Sequence, residues 1–452
     1  MLHKSYSVII SNKIRSYKSN ILIDSDKSIS IRSFLIGAIS QNISEVKNIL
    51  DSEDVFSAIS CVKKLGVQIK KKSSKSYVIY GKGLGSLRLK KNTMLNFGNS
   101  GTLARLLIGI LSTTPKIQVK IKGDHSLNKR SMAKLIELME KFGAEFLPKK
   151  KINFPLKMIS SEMPVGINYK SGVSAQLKSA VILAGLNSFG TTKIIESKAS
   201  RDHTENILRN SSKVLKITKV NRHKKEIKIT GKKNLKKFNI TVPGDPSSAA
   251  FFVALTLINK NSILKIKSVC LNPTRVGFYE LLKKSNGKIK FKNVKKINNE
   301  IIGDIIVSSS KLKPIKANKE FYVKATDEYP IMFVIAALTP GISVFKGIQD
   351  LANKESDRIK EMQNILKSIG IKTKSNKSEM KIYGQSDLRR YNKAIFVPNL
   401  GDHRICMSAT ILSLLTGIKA KINNFETVKT SSPSFLKIIK RLGGKYEIKK
   451  QL

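Results

Sequence analysis

Apolar stretches recur along the chain, and each starts directly after a short polar or glycine-rich turn. One of them follows residues 354–358, where two cations and two carboxylates precede apolar positions that repeat at helical spacing from Ile359 to Ile369. This spacing predicts a helix whose first turn carries the four charges. Buried surface holds such a cluster only where the charges are paired or functional, so it is a candidate site. The alternative is a solvated helix start, since clustered charges mark a site only statistically.

The same succession of turn and helix occurs six times. Apolar helices are predicted to start near the residues that follow the turns, at intervals of 72 to 82 residues: Lys27, Asn99, Ser174, Pro246, Glu328 and Arg404. This interval is too long for a solenoid repeat and fits a compact unit with several strands and two helices. Between the starts, the pattern alternates in the order β-α-β-α-β-β. Six copies therefore predict two α/β domains of three units each.

Composition supports a globular protein with room for two cores. The chain has 452 residues, is 41% hydrophobic and carries a formal net charge of +53. Such a charge suits nucleic acid, an anionic membrane or anionic substrates. However, Lys and Arg are spread along the whole length, whereas a nucleic-acid-binding protein concentrates them on one face. Aromatic residues are only 6% and Trp is absent, which disfavours base stacking. A specific nucleic-acid partner is therefore not expected, although this class stays open as an alternative.

The cysteines indicate a reducing compartment. Cys61, Cys270 and Cys406 are far apart, odd in number and form no CxxC pair. Disulfides and structural zinc are not expected, and a cytoplasmic location is. The longest apolar runs, such as residues 331–338, are far short of the roughly 20 residues that a membrane-spanning helix needs.

The predicted helix starts point to anionic ligands. Free backbone N–H groups and the helix dipole make each N-terminus favourable for an anion. The chain has 14 Arg and otherwise uses Lys. Six of the Arg lie in or just after a turn or a motif: Arg32, Arg105, Arg130, Arg201, Arg358 and Arg404. A guanidinium group binds carboxylate or phosphate through two parallel hydrogen bonds, which an ammonium group does not reproduce. Any one of them alone would be read as a surface Arg, but together they predict oxyanion binding.

The motifs at these turns resemble those of the 5-enolpyruvylshikimate-3-phosphate (EPSP) synthase family. They occur in the family's order and cover nearly the whole chain: DKSISIR at 26–32, GNSGT at 98–102, GDHSLNKR at 123–130, SAQLKSA at 174–180, SRDHTE at 200–205, DEYP at 327–330, KESDR at 354–358 and DHR at 402–404. The resemblance implies a two-domain enolpyruvyl transferase fold, an inside-out α/β barrel of six βαβαββ repeats. It places domain 1 at residues 1–25 plus 244–452, domain 2 at residues 26–243, and the active site in the cleft between them.

The resemblance also implies an activity. Family members transfer the enolpyruvyl group of phosphoenolpyruvate to the 5-hydroxyl of shikimate 3-phosphate, releasing phosphate, in aromatic amino acid biosynthesis. By this resemblance no cofactor and no metal are needed, and the enzyme is a monomer with two small-molecule substrates. Catalytic roles fall on Asp327, Glu355 and Lys27. The implied phosphoenolpyruvate contacts are Lys27, Gly101, Arg130, Gln176, Lys354, Arg358 and Arg404. The implied shikimate 3-phosphate contacts are Lys27, Ser28, Arg32, Ser174, Ala175, Gln176, Ser200, Arg201, Asp327 and Lys354, with Asp350 at the edge.

Four positions depart from the family pattern, namely Asp24, Ile31, Ser131 and Ala352. The alternative within the same enzyme class is a UDP-N-acetylglucosamine enolpyruvyl transferase, which carries a reactive Cys on a loop. Cys61 is the candidate for that role, yet it falls in a predicted helix.

Gly101 has two interpretations, since Gly serves either a positive φ or a close approach of backbone to ligand. Glyphosate-tolerant members of the family carry Ala at the matching position. The resemblance therefore implies that this chain is inhibited by glyphosate.

Overall fold

A computed structural model describes residues 5–209, 211, 213–221, 224–386 and 394–450. The chain divides into two compact units. Unit 1 comprises the described residues of Met1–Asp24, Pro243–Lys296 and Ile301–Leu452. Unit 2 comprises those of Ser25–Val242 and Ile297–Glu300. The chain thus leaves unit 1 after Asp24 and returns to it at Pro243.

The α-helices of the described residues alternate with strands along both units. In chain order they are α1 (Lys27–Ile39), α2 (Glu53–Lys64), α3 (Gly101–Ser112), α4 (His125–Lys129), α5 (Ala133–Glu140), α6 (Ala175–Leu186), α7 (His203–Leu208), α8 (Pro246–Ile258), α9 (Gly277–Lys284), α10 (Tyr329–Ala337), α11 (Arg358–Ser368), α12 (His403–Thr416) and α13 (Phe435–Arg441). Short 3₁₀ turns lie at Tyr322–Lys324, Gln349–Asn353 and Phe425–Thr430.

The strands are short and spread along the chain. In order they are β1 (Tyr6–Ile10), β2 (Lys18–Leu22), β3 (Gln41–Lys47), β4 (Gln68–Ser73), β5 (Ser76–Lys82), β6 (Met94–Asn96), β7 (Gln118–Lys122), β8 (Glu145–Leu147), β9 (Leu156–Ile159), β10 (Asn168–Ser171), β11 (Thr191–Glu196), β12 (Leu215–Lys219), β13 (Lys225–Thr230), β14 (Asn239–Thr241), β15 (Ile263–Cys270), β16 (Lys288–Ile297), β17 (Glu300–Ser308), β18 (Lys316–Ala317), β19 (Gly341–Lys346), β20 (Thr373–Ser375), β21 (Glu379–Gly384), β22 (Ile395–Val397), β23 (Ala420–Ile422) and β24 (Glu447–Lys450).

Within the described residues these strands form six four-stranded sheets of one pattern. In the sheet β6-β7-β9-β8, the first pair is parallel and the other two pairs are antiparallel. The parallel connection from β6 to β7 contains a helix, as parallel neighbours require. The same order recurs in β10-β11-β13-β12 and in β18-β19-β21-β20. The predicted βαβαββ succession is confirmed in these three repeats.

The other three repeats are completed by a strand from a distant part of the chain. β14 pairs in parallel with β3, and β2 pairs in parallel with β15. β1 lies between β23 and β24 and is antiparallel to both. The six predicted repeats are therefore present, and three of them are completed by a strand from elsewhere in the chain. Strand propensity along the sequence is the same whether the partner is near or far, so the exchange leaves no local signal.

The helix that starts each repeat is buried on nearly all sides. In α10, for example, every residue is buried. A helix that is apolar all round belongs in a core. Five of the six starts have a side-chain cap that accepts a backbone N–H: Asp26, Ser100, Ser174, Asp245 and Asp402. Glu328, at the start of α10, makes no such cap bond. The caps fix where each helix begins and therefore which side chains project from its first turn.

The helix predicted after residues 354–358 is also confirmed, although the charged cluster precedes it. The helix begins at Arg358, and the Asp357 carboxylate caps it by accepting from Ile359 N and Lys360 N, each at 3.1 Å. Lys354 and Glu355 therefore lie in the turn before the helix. Among the described residues, no helix has both the length and the hydropathy to cross a membrane.

Candidate active site

Arg358 is the centre of a charged cluster in unit 1. Its buried guanidinium group places Nε 2.8 Å from Asp402 Oδ2 and Nη2 3.2 Å from Asp402 Oδ1. Nη2 is also 2.7 Å from Glu355 Oε2, and Nη1 is 3.9 Å from Asp327 Oδ1. Burial alone would lower the pKa of Arg358, but Asp402 and Glu355 outweigh it and the pKa is raised. One guanidinium group thus holds two carboxylates by hydrogen bonds and lies within ion-pair distance of a third.

Lys354 lies next to this cluster and is half-buried. Burial lowers the pKa of its ammonium group, which the charge of Asp327 partly opposes. Asp350, half-buried on the 3₁₀ turn Gln349–Asn353, acts on Lys354 in the same direction as Asp327. The arrangement places a cation close to two carboxylates, which suits the handling of protons and anionic groups.

Arg404 occupies the first turn of α12. Its backbone N–H donates to the capping carboxylate, with Arg404 N 2.9 Å from Asp402 Oδ1. The guanidinium carbon lies 5.7 Å from the centre of the Phe251 ring. Nε and Nη1 are buried and have no hydrogen-bond partner among the described residues. These donors are available to an acceptor on a bound ligand or on water. Asp402 links this group to Arg358.

In unit 2, the first two turns of α1 carry Lys27, Ser28 and Arg32. Lys27 Nζ lies 3.1 Å from Asp54 Oδ2, and one fifth of the Lys27 side chain is exposed. Arg32 is buried, and its Nη1 donates to Ser28 O at 3.0 Å. Nε and Nη2 of Arg32 donate to side-chain hydroxyls of α6 and α7. Lys27 is therefore the accessible cation here, whereas much of the Arg32 guanidinium group is used to join three helices.

A second cluster in unit 2 surrounds Gly101, the first residue of α3. Arg105 Nη1 donates to Gln176 Oε1 at 2.7 Å and to Gly101 O at 3.3 Å. Gln176 Nε2 lies 3.0 Å from Thr102 Oγ1. A Cβ on Gly101 would come within 2.7 Å of Arg105 Nη1 and 3.5 Å of Arg130 Nη1. The structure thus brings together Gly101, Arg130 and Gln176 around Arg105.

Arg130 is held by neighbouring polar side chains. Its Nη2 is 2.6 Å from Asn99 Oδ1 and 3.2 Å from Ser126 Oγ. Both partners belong to motifs that the sequence singled out. The guanidinium group is therefore oriented by the protein before a substrate arrives, which lowers the entropic cost of binding.

The remaining predicted contacts lie around α6 and α7. Ser174 caps α6 by accepting from Leu177 N, and Ala175 is the first residue of that helix. Ser200 and Arg201 lie in the turn between β11 and α7. Ser200 is buried, and both its N–H and its hydroxyl donate to Glu196 Oε1, at 2.9 and 2.8 Å.

Sequence reasoning missed the residues that hold these groups in place. Asp402 and Asp54 were not assigned site roles, and Arg105 was predicted only as one of six arginines that bind oxyanions, yet each contacts a predicted site residue directly. Asp402 lies within a motif, so its signal was present. Asp54 lies on α2, 27 positions after Lys27, and nothing in the local pattern links it to that lysine.

The six-sheet fold and its cationic helix starts define the class, that of the enolpyruvyl transferase fold. The enolpyruvyl transferase NikO from Streptomyces tendae shares this fold, with a TM-score of 0.74 over 99% of this chain and all of the other, at 11% identity. The EPSP synthase of Acinetobacter baumannii is more similar, with a TM-score of 0.84 and 32% identity over 98% of this chain and 100% of that chain.

Sequence comparison agrees over the same length. The pattern of the family described as EPSP synthase (3-phosphoshikimate 1-carboxyvinyltransferase) matches residues 11–439. The 3-phosphoshikimate 1-carboxyvinyltransferase of Zymomonas mobilis is 35% identical, covering 97% of each chain. That of Bacillus subtilis is 36% identical, covering 96% of this chain and 99% of the relative. The chain belongs to the EPSP synthase family. It is a transferase of the shikimate pathway with 3-phosphoshikimate 1-carboxyvinyltransferase activity, so the resemblance, fold class and activity predicted above are confirmed.

Proposed function

We propose that the side chains described in both units act on one reaction, the transfer of enolpyruvyl from phosphoenolpyruvate to the 5-hydroxyl of shikimate 3-phosphate. The observation that carries the proposal is Arg404, a buried guanidinium group with two donor nitrogens that have no partner among the described residues. Phosphoenolpyruvate offers both a carboxylate and a phosphate as acceptors. We assign it to Arg404 and to the other cations described above, Lys27, Arg130, Lys354 and Arg358, with Gly101 and Gln176.

Shikimate 3-phosphate is assigned to polar groups at the starts of α1, α6 and α7. Hydroxyl and backbone N–H groups at these helix starts suit a sugar-like ring that carries hydroxyls, a carboxylate and a phosphate. The residues are Ser28, Arg32, Ser174, Ala175, Gln176, Ser200 and Arg201, together with Lys27, Asp327 and Lys354. Arg32 contributes mainly by joining three helices, since its nitrogens already donate to Ser28, Ser179 and Thr204.

The chemistry requires proton transfer in both of its steps. Oxygen 5 of the acceptor forms a bond to C2 of phosphoenolpyruvate and gives up its proton, while C3 gains a proton to become a methyl group. The resulting intermediate then breaks the bond between C2 and the phosphate oxygen, and a proton leaves C3 to restore the double bond. The departing phosphate gains one proton, so atoms and charge balance. Positioned acids and bases carry such steps.

Asp327, Glu355 and Lys27 are the groups assigned to these transfers. Asp327 and Glu355 keep about a quarter and a fifth of their side chains exposed, so substrate can reach both. Arg358 holds Glu355 at 2.7 Å and thereby stabilises its ionised form. Lys27 combines a partly exposed ammonium group with the fixed partner Asp54. We assign Asp327 to the 5-hydroxyl, Glu355 to C3, and Lys27 to the charge that develops between them.

A phosphate-release assay tests this assignment. Purified enzyme is incubated with phosphoenolpyruvate, with and without shikimate 3-phosphate, and inorganic phosphate is measured. Release that depends on shikimate 3-phosphate is the expected result. Release that UDP-N-acetylglucosamine supports instead would overturn it.

Two further statements are part of the proposal. The chain acts as a monomer, as the family resemblance implies. It acts in the cytoplasm, where its three buried thiols stay reduced. Light scattering after gel filtration tests the first, and cell fractionation tests the second.

A further inference from the structure

Lys178 is a buried cation to which the substrate contacts proposed above assign no role. It lies on α6, its side chain has no exposure, and Nζ is 2.8 Å from Glu196 Oε1 and 2.6 Å from Glu205 Oε1. Nζ also lies 3.5 Å from Ser200 O. Burying an ammonium group and two carboxylates costs free energy even when they are paired. An apolar trio of the same size would serve stability at least as well, so a role in the site is the better explanation.

Glu196 connects this cluster to the substrate assignment. Its Oε1 accepts three hydrogen bonds, from Lys178 Nζ, Ser200 N and Ser200 Oγ. Ser200 is assigned to shikimate 3-phosphate, yet its hydroxyl donates to a carboxylate. An uncompensated carboxylate 2.8 Å from this hydroxyl would repel an anionic substrate. Lys178 supplies the compensating charge.

Lys178 also lets the Ser200 hydroxyl change partner. To donate to a substrate oxygen, the hydroxyl must leave Glu196. The carboxylate then still accepts from Lys178 and from the Ser200 N–H, so it stays satisfied while buried. Without Lys178, the released carboxylate would keep one partner only and would hold on to the hydroxyl.

The ion pair between Lys178 and Glu205 joins two helices. Lys178 and Ser179 on α6 face Glu205 and Thr204 on α7, through the 2.6 Å ion pair and a 2.8 Å hydrogen bond between the two hydroxyls. Arg32 donates to both hydroxyls. The Lys178–Glu205 pair is therefore one contact between α6 and α7, and the Arg32 guanidinium group rests on another, the Ser179–Thr204 hydroxyl pair.

The charge states agree with this division of roles. Burial alone would raise the pKa of Glu196, but Lys178 and Ser200 lower it, so Glu196 is ionised. Burial dominates at Glu205 and raises its pKa. For Lys178, burial alone would lower the pKa, yet the two glutamates outweigh it and raise the pKa. Lys178 is thus a cation shared by two glutamates, of which Glu196 is the one that contacts Ser200.

We infer that Lys178 and Glu196 are positioning residues for shikimate 3-phosphate, holding Ser200 in place and cancelling the carboxylate charge behind it. This inference rests on the proposed assignment of Ser200 to that substrate. The two residues touch Ser200 and do not touch substrate, so their effect should fall on acceptor binding and leave phosphoenolpyruvate binding unchanged.

The matched test compares Glu196→Gln with Glu205→Gln. Both changes remove one carboxylate from Lys178 at constant size, but only Glu196 contacts Ser200. Loss of a charge-assisted hydrogen bond corresponds to roughly a tenfold effect or more. We expect Glu196→Gln to raise KM for shikimate 3-phosphate by about tenfold, with KM for phosphoenolpyruvate and kcat within about twofold. Glu205→Gln should change the acceptor KM by less than about threefold, since it leaves the Ser200 contacts in place. Equal effects of the two variants would overturn the inference.

A double-mutant cycle with Ser200→Ala separates positioning from general stability. If Glu196 acts through Ser200, its effect on KM disappears in the Ser200→Ala background. Additive effects would show a purely structural role and overturn the inference. Glu196→Asp keeps the charge beside Lys178 and shortens the reach to Ser200. It should fold and still raise KM, which covers the case in which Glu196→Gln fails to fold.

The same experiment distinguishes failure of the inference from failure of the assignment on which it rests. If Ser200→Ala leaves KM for shikimate 3-phosphate unchanged, the assignment of Ser200 is wrong. If Ser200→Ala raises KM but neither Glu196 variant does, the assignment holds and the positioning role is wrong.

Discussion

Arg358 and Asp402 form a buried two-point ion pair, with Nε 2.8 Å from Oδ2 and Nη2 3.2 Å from Oδ1. The same carboxylate caps α12 by accepting from Arg404 N, and its Oδ2 accepts from Ser356 Oγ at 3.0 Å. One aspartate therefore fixes two of the arginines assigned to phosphoenolpyruvate. Its removal should affect both stability and catalysis.

The first prediction concerns this pair. Asp402→Asn keeps the helix cap, because Asn caps as well as Asp, but it leaves the buried Arg358 with one counter-charge fewer. Breaking a buried pair costs about 3–5 kcal/mol, and the remaining carboxylates place the expected loss at the lower end. Urea unfolding followed by far-UV circular dichroism measures it. Asp357→Asn, which changes the cap of α11, is the control. Equal unfolding midpoints for the two variants would show that the ion pair adds nothing beyond a cap.

The second prediction concerns Glu355. Glu355→Gln preserves shape and can still accept from Arg358, but it cannot exchange a proton. We expect kcat to fall by roughly 10²–10⁴-fold, the range for general acid–base catalysis. The melting temperature should fall only slightly, because the Glu355 side chain is one fifth exposed and Asp402 stays paired with Arg358. Glu361→Gln on α11 is the control and should leave kcat unchanged. A folded Glu355→Gln enzyme with wild-type kcat would remove Glu355 from the proton transfers.

The third prediction concerns guanidinium geometry. Arg404→Lys and Arg130→Lys keep the positive charge but lose the two-point donor arrangement. Each should lower kcat/KM for phosphoenolpyruvate by an amount equivalent to about 1.5–3 kcal/mol, the scale of a charge-assisted hydrogen bond. Arg441→Lys, on the exposed last turn of α13, is the control. If Arg404→Lys matches Arg441→Lys in kcat/KM, the buried donors of Arg404 do not bind this substrate.

The fourth prediction concerns Gly101. Its φ lies outside the left-handed region, and an added Cβ meets the flexible end of Arg105, 2.7 Å away, and then Arg130. Ala should therefore barely change the melting temperature and should instead displace guanidinium groups at the phosphoenolpyruvate contacts. Overpacking by one methyl group costs about 1–3 kcal/mol, which is roughly 10- to 100-fold in a binding constant.

We expect this loss to fall on glyphosate more than on phosphoenolpyruvate, because glyphosate is the longer molecule. Wild type should be inhibited by glyphosate, and Gly101→Ala should show a higher inhibition constant. Gly172→Ala is the control, since nothing lies within 4 Å of a Cβ there. Equal inhibition constants with a large drop in melting temperature would mean that Gly101 serves the backbone and not the pocket.

The fifth prediction concerns the cysteines. Cys61 is buried on α2 with Sγ 3.4 Å from Asn96 O, and burial raises its pKa to about 12. Burial likewise raises the pKa of Cys406 to about 12. Both are therefore protonated at pH 8, and only the thiolate reacts with iodoacetamide. Native enzyme should remain unlabelled and fully active, whereas enzyme in urea should be labelled at all three cysteines. Rapid native labelling with loss of activity would favour an enzyme that uses a reactive Cys.

Much of the fold was accessible to sequence reasoning because its signals are local. Polar turns before apolar runs predicted all six buried helices, and helix periodicity predicted α11. The strand exchanges were not accessible, since β1, β2 and β14 look like any other strands and their partners are set by the folded chain. The start of α11 at Arg358 was also missed. Helix propensity does not show that Asp357 caps this helix, which leaves Lys354 and Glu355 in the preceding turn.

In the site, too, the identity of residues could be predicted from the sequence and their tertiary contacts could not. Motif residues such as Arg358 and Gln176 could be named, but their contacts could not. Asp54, Glu196 and Glu205 each pair with a lysine through the tertiary structure, and the sequence distance between partners carries no information about it. That Arg32 is largely engaged within the protein, whereas Arg404 keeps buried donors, is likewise a property of packing.

The distant strand pairings have a consequence for synthesis on the ribosome. The Ser7 hydroxyl on β1 donates a hydrogen bond to Asn423 Oδ1, 416 positions later, and β2 pairs with β15, which is synthesised long after it. At about 5–20 residues per second, β1 stays without its sheet for roughly 20–80 s. Unit 2, by contrast, has nearly all of its residues once Val242 has emerged. We therefore expect unit 2 to fold before unit 1. Until their partner strands are synthesised, β1 and β2 have unpaired edges, and chaperones or the solubility of the chain must keep them from aggregating. β1 itself carries no charged residue and β2 carries only Lys18, so the lysines elsewhere in this chain have to keep these strands from aggregating during that interval.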